Sequence, residues 1–136
     1  MQNNLYSLIA INAKYIHSNL AVRYIKKYCQ NKKICINILE FSINDSMDKI
    51  LKNIYSEGGN VLAFSCYIWN IEMILKITKS LKKIRPDLII ILGGPEVSYD
   101  PIETMSKNPF IDYIIFGEGE VAFYKLIEYM ETKNTG

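Results

Sequence analysis

The chain has 136 residues, 49% of them hydrophobic and 22% charged, with a formal net charge of +2 at neutral pH; one compact domain burying roughly two thirds of its unfolded surface is the expectation. The longest apolar stretch, Val61 to Trp69, is too short for a bilayer span, the N-terminus MQNNLYSL lacks the basic segment of a secretory signal, and 16 basic against 14 acidic residues give no strongly basic face. These features argue against a membrane span, export and nucleic-acid binding, and Cys29, Cys35 and Cys66, which fit no Cys-x-x-Cys, zinc or iron–sulfur spacing, read as thiols of a reducing cytoplasm.

In chain order, Leu5 to Ile11 predicts a strand, and Leu20, Tyr24, Ile25 and Tyr28 then recur at helical spacing behind Ser18 as a cap. Ile34 to Phe41 is a second strand; Met47, Ile50, Leu51 and Ile54 mark a second helix opened by Asp45 or Ser46. Val61 to Cys66 is the third strand, and the third helix carries Ile71, Ile74, Leu75, Thr78 and Leu81 between a cap at Asn70 and a stop at Pro86. Its basic end, with Lys79, Lys82, Lys83 and Arg85, suits the negative pole of the helix dipole. Leu88 to Leu92 is the fourth strand, and Asp100-Pro101-Ile102-Glu103 supplies cap, proline and acid for a short helix over about Pro101 to Lys107. Tyr113 to Phe116 is the fifth strand, and Phe123, Ile127 and Met130 share one side of a last helix from roughly Glu120 to Glu131. The domain thus spans residues 1–131, and 132–136, without apolar period, reads as the start of a linker. Short apolar runs alternating with helical patterns predict an α/β fold, a doubly wound parallel five-stranded sheet between two helical layers, in strand order 2-1-3-4-5.

Ligands of such sheets bind outside the carboxyl ends of the strands. The first loop, Asn12 to Ser18, has no glycine, which excludes a Rossmann fingerprint, a Walker loop or a flavodoxin-type phosphate loop. A response-regulator receiver needs acids after the first strand and an Asp after the third, where Asn12 and Ser65 stand. Four of the seven glycines sit instead at the ends of strands four and five, in Gly93-Gly94-Pro95-Glu96 and Gly117-Glu118-Gly119-Glu120. Neighbouring strands set these turns side by side, either as one wall of a ligand groove or as two tight strand-to-helix turns.

These two turns, with Asp112 to Phe116 before the second and Phe123 and Leu126 after it, and with Ser65-Cys66-Tyr67-Ile68-Trp69-Asn70 following the third strand, resemble the N-terminal cobalamin-binding domain of B12-dependent radical SAM proteins. That group includes the anaerobic magnesium-protoporphyrin IX monomethyl ester cyclases, and the resemblance covers nearly the whole chain. It implies a flavodoxin-like domain that holds a corrin ring across the carboxyl edge of the sheet, with the nucleotide tail beside the glycine turns. On that reading Gly93, Gly94, Gly117 and Gly119 permit close backbone approach, Ser65 hydrogen-bonds the tail, and Tyr67 and Trp69 give apolar contact. Asn12, His17, Pro95, Glu96, Glu118 and Glu120 complete the cofactor-binding candidates.

His17 is the sole histidine, in the loop where the methionine-synthase type carries Asp-x-His-x-x-Gly; Tyr15-Ile16-His17-Ser18-Asn19-Leu20 has neither the Asp nor the Gly. An exposed position near a helix start is therefore favoured over cobalt ligation, and no catalytic or metal-ligating residue is assigned. The family's catalytic half binds a [4Fe-4S] cluster through Cys-x-x-x-Cys-x-x-Cys, a run absent here. Non-catalytic alone, the chain is expected to precede a radical SAM domain that binds the cluster and S-adenosylmethionine, with cobalamin as methyl carrier or radical participant. Two other classes fit the same sheet edge: a nucleotide- or nucleotide-sugar-binding half-domain of a transferase, and a cofactor-free interaction domain.

Overall fold

Five strands, Tyr6–Asn12 (β1), Ile36–Ser42 (β2), Val61–Ser65 (β3), Ile89–Gly93 (β4) and Tyr113–Ile114 (β5), pair in parallel in the order β2-β1-β3-β4-β5. Between them run helices Leu20–Asn31 (α1), Met47–Glu57 (α2), Ile71–Ile84 (α3), Pro95–Ser98 (α4) and Pro101–Lys107 (α5), and Gly119–Thr135 (α6) follows the last strand. This computed structural model describes residues 4–13, 20–117 and 119–135; His17, Glu118 and the expected cap Ser18 lie outside them. No helix among the described residues is long and apolar enough to cross a membrane.

Strand alternation sorts the core into two layers. Ile9, Ile11, Leu62, Phe64, Ile90 and Leu92 pack against Ile50 and Ile54 of α2 and Ile74, Ile77 and Leu81 of α3. Leu8, Ala10, Val61, Ala63 and Ile91 turn the other way, toward Val22 and Cys29 of α1 and Phe123, Ile127 and Met130 of α6. Full burial of each large aliphatic side chain contributes about 1.5–3 kcal/mol, so both helical layers are held mainly by this apolar contact.

Local chemistry fixes several ends. Ser46 accepts the Lys49 N–H at 3.1 Å, and Asp100 accepts the Glu103 N–H at 3.2 Å, both as N-caps. Four features depart from the sequence pattern. Asn70 makes no cap hydrogen bond at the start of α3, because its side chain is committed elsewhere. On α1 the buried residues are Val22 and Cys29, while Tyr24 is exposed; the smaller side chains let α6 approach and the phenol stays in water. The single turn α4 is additional. Finally, α6 continues to Thr135, past its last apolar contact at Met130, since extending a formed helix costs little per residue.

Lys82 does more than complement a dipole: its Nζ donates to the Leu88 carbonyl at 2.6 Å and to Asp112, whose carboxylate also accepts the Ile90 N–H at 2.8 Å. The basic end of α3 thereby ties down the edge formed by β4 and β5.

Candidate functional site

The chain leaves β1 toward β2 on one side and reaches β3 on the other, so the crossovers diverge and leave a crevice at the carboxyl ends of β1 and β3. There a cavity of about 410 Å³ lies on the face covered by α1 and α6. Its wall is two rungs of the sheet. On the inner rung Leu8, Ala63 and Ile91 align in register, and on the outer rung Ser65 stands opposite Gly93. Val22 and Ile25 of α1 and Gly119 and Phe123 of α6 face the same space.

Small side chains create it. Ala63 lies between Leu8 and Ile91, and Gly93 ends the adjacent strand without a Cβ, so the sheet surface is recessed where the helices bridge it. Protein interiors leave few voids larger than a water molecule, whereas small-molecule sites occupy roughly 300–1,000 Å³. At about 410 Å³ the recess falls within the size range of small-molecule sites and well above that of a packing void. Among the described residues no aromatic ring plugs the rim: Tyr67 lines the cavity with its ring stacked on Trp69, centroids 4.5 Å apart and planes 3° from parallel.

The glycines at this edge differ in what requires them. Gly94 has φ +100°, and a Cβ there would lie 2.5 Å from the Cys66 carbonyl oxygen, so the tight crossing of two backbones excludes any side chain. Gly93 would meet nothing closer than the Ile115 carbonyl at 3.6 Å. A side chain fits at Gly93 sterically, so packing does not demand a glycine there, and its absence enlarges the cavity.

Asn70 organises the switch point. Fully buried, it donates from Nδ2 to the Ile11 carbonyl at 2.9 Å and the Ser65 carbonyl at 3.1 Å, and its Oδ1 accepts the Tyr67 N–H at 2.8 Å. One side chain thus joins the ends of β1 and β3 to the loop that carries Tyr67. The Cys66 N–H donates to the Gly93 carbonyl at 2.7 Å and the Glu96 N–H to the Cys66 carbonyl at 3.3 Å, which fastens the β4 turn to the same loop. Burial pushes the Cys66 thiol far above its usual range, so it is a packing group and not a nucleophile.

Of the sequence-predicted residues, Ser65, Tyr67, Gly93, Gly94, Pro95, Gly117 and Gly119 line this one cavity. Trp69 stands behind Tyr67, 47% exposed. Asn12 turns toward β2, donating from Nδ2 to Glu40 at 3.4 Å, and Glu40 also pairs with Arg23. Glu96 borders a separate groove with Asp100 and Glu103, and Glu120 a shallow one with Tyr24 and Tyr28. No group of three or more potential metal ligands occurs among the described residues. Sequence reasoning missed the inner rung and the helix residues above it. The available signal was the small Ala63 inside an otherwise bulky strand.

The profile of the B12 binding domain matches residues 6–127, and the chain belongs to that family. It is 41% identical over 68 residues to the cobalamin-dependent radical SAM methyltransferase TokK of Streptomyces tokunonensis, covering 50% of this chain and 10% of that protein. It is 37% identical over 62 residues to the anaerobic magnesium-protoporphyrin IX monomethyl ester cyclase of a Synechocystis species, covering 46% of this chain and 12% of that one. The chain thus matches only about a tenth of the length of these relatives. Among solved structures, the apo form of the cobalamin-dependent S-adenosylmethionine radical enzyme OxsB shares the fold with a TM-score of 0.71, at 18% identity, over 94% of this chain and 19% of that one.

Proposed function

We infer that this B12-binding domain holds cobalamin at the carboxyl edge of its sheet, with the nucleotide tail in the cavity between the sheet and helices α1 and α6. The observation that carries the reading is the recess itself, about 410 Å³, roofed by two helices and open at a glycine-lined rim. The residues suit the group. Leu8, Ala63, Ile91 and Phe123 offer an apolar bed for an aromatic base, Ser65 offers a hydroxyl at the outer rung, and the first turn of α6 at Gly119 offers backbone N–H groups to a phosphate. Tyr67 and Trp69 border the surface on which the corrin ring rests. Bound cobalamin supplies the methyl-carrying or radical chemistry; the chain binds and orients it. The whole protein joins this domain to a radical SAM domain with a [4Fe-4S] cluster and S-adenosylmethionine, and works in the cytoplasm. The cobalamin-dependent radical SAM activity of the relative TokK, of which this chain matches a tenth, supports the joining of the two domains.

Titration of the purified chain with hydroxocobalamin, followed by visible spectrum and heat, tests the reading. It predicts saturable one-to-one binding that weakens strongly in Gly93→Val, whose side chain enters the recess. Absence of saturable binding at tens of micromolar would leave the cofactor-free interaction domain as the better description.

A further inference from the structure

We propose that the cavity selects the base of the cobamide it accepts, taking an apolar aromatic base such as dimethylbenzimidazole and rejecting a purine. The proposal rests on the placement of the nucleotide tail given above and concerns what that placement discriminates. At the inner rung Leu8, Ala63 and Ile91 present only hydrocarbon, as do Val22 and Phe123 facing them. Backbone groups there offer no partner, because these residues lie in strands with parallel neighbours on both sides, β1 between β2 and β3, β3 between β1 and β4, and β4 between β3 and β5.

The polar side chains among the described residues of the cavity are Ser65, Tyr67 and Ser98, and none belongs to the inner rung. The Ser98 hydroxyl gives its one proton to the Gly94 carbonyl at 2.8 Å, so it has none to donate to a ring nitrogen. Ser65 sits one rung nearer the mouth, on the next residue of β3 that faces the cavity after Ala63. A benzimidazole carrying two methyl groups loses little by entering this recess. Adenine carries an exocyclic amine and several ring nitrogens that water satisfies and this wall does not. One polar group buried without a partner weakens binding by about tenfold or more.

The test compares three ligands on the intact 136-residue chain by calorimetry: hydroxocobalamin, the cobamide with adenine in place of dimethylbenzimidazole, and cobinamide, which lacks the nucleotide. Hydroxocobalamin at least tenfold tighter than the adenine cobamide, with the latter close to cobinamide, is the expected result. Equal affinity for all three would overturn the proposal by showing that the tail stays outside the cavity, while leaving cobalamin binding intact. Equal affinity for the two complete cobamides, both tighter than cobinamide, would overturn it by showing a cavity that takes the tail without selection. Binding of none would defeat the functional reading itself and the proposal with it.

Discussion

Asn70→Ala removes three hydrogen bonds at a buried site: to the Ile11 carbonyl, to the Ser65 carbonyl and from the Tyr67 N–H. At about 1 kcal/mol net for each bond, the loss is about 3 kcal/mol. With an unfolding entropy of about 2.1 cal/mol/K per residue, a chain this long loses about 10 °C in Tm for that change. Urea unfolding at constant m measures the loss, and hydrogen exchange at the Tyr67 amide reports whether the loop has come free. Cobalamin affinity should fall as well, because Ser65 and Tyr67 no longer hold their places on the cavity wall.

Asn70→Asp sharpens the argument. It keeps an acceptor for Tyr67 but sets a carboxylate against two carbonyl oxygens, so burial and repulsion raise its folded pKa above the unfolded value. Its stability relative to the parent must then improve as pH falls, the reverse of ordinary acid denaturation, because protonation restores a donor. A loss below about 1 kcal/mol for Asn70→Ala, with unchanged exchange at Tyr67, would refute the role assigned to this residue.

Further outcomes follow from the same geometry. Gly94→Ala should prevent stable folding, with its Cβ against the Cys66 backbone at positive φ, whereas Gly93→Ala should stay within about 1 kcal/mol of the parent on urea unfolding and still weaken cobalamin binding. Only exposed Cys35 should react with a thiol reagent in the native state, Cys29 and Cys66 joining it after denaturation. Burial pushes Cys29 up from 9.0 to about 11, so between those values the unfolded chain releases a proton that the folded chain keeps, and stability measured by urea unfolding should decline as pH rises through that window. Lys82→Met should cost about 1–2 kcal/mol and speed amide exchange at Ile90, since Leu88 and Asp112 lose their shared donor.

The strands and their order are legible in the sequence because a parallel sheet buried on both faces needs uninterrupted apolar runs such as Val61 to Phe64 and Ile89 to Leu92. The rim was legible through glycine at Gly93, Gly94, Gly117 and Gly119, all of which are among the residues that line the cavity. Its interior was not, because Leu8, Val22, Ile91 and Phe123 are indistinguishable from core residues until the helices are placed. Asn70 misled for a related reason: a polar residue just before a helix suits a cap and a buried clamp equally, and only the proximity of the Ile11 and Ser65 carbonyls decides between them. The tyrosines of α1 carried the same ambiguity, since spacing alone does not separate Tyr24 from its neighbours Val22 and Ile25.

The central claim, that the nucleotide tail lies between the sheet and helices α1 and α6, is tested most directly by NMR of the chain bound to hydroxocobalamin. Nuclear Overhauser contacts from the dimethylbenzimidazole methyl protons to the methyl groups of Ala63 and Val22 are the predicted result. Contacts confined to surface residues such as Ile68 and Trp69, with the Ala63 and Val22 signals unmoved by saturating ligand, would contradict it.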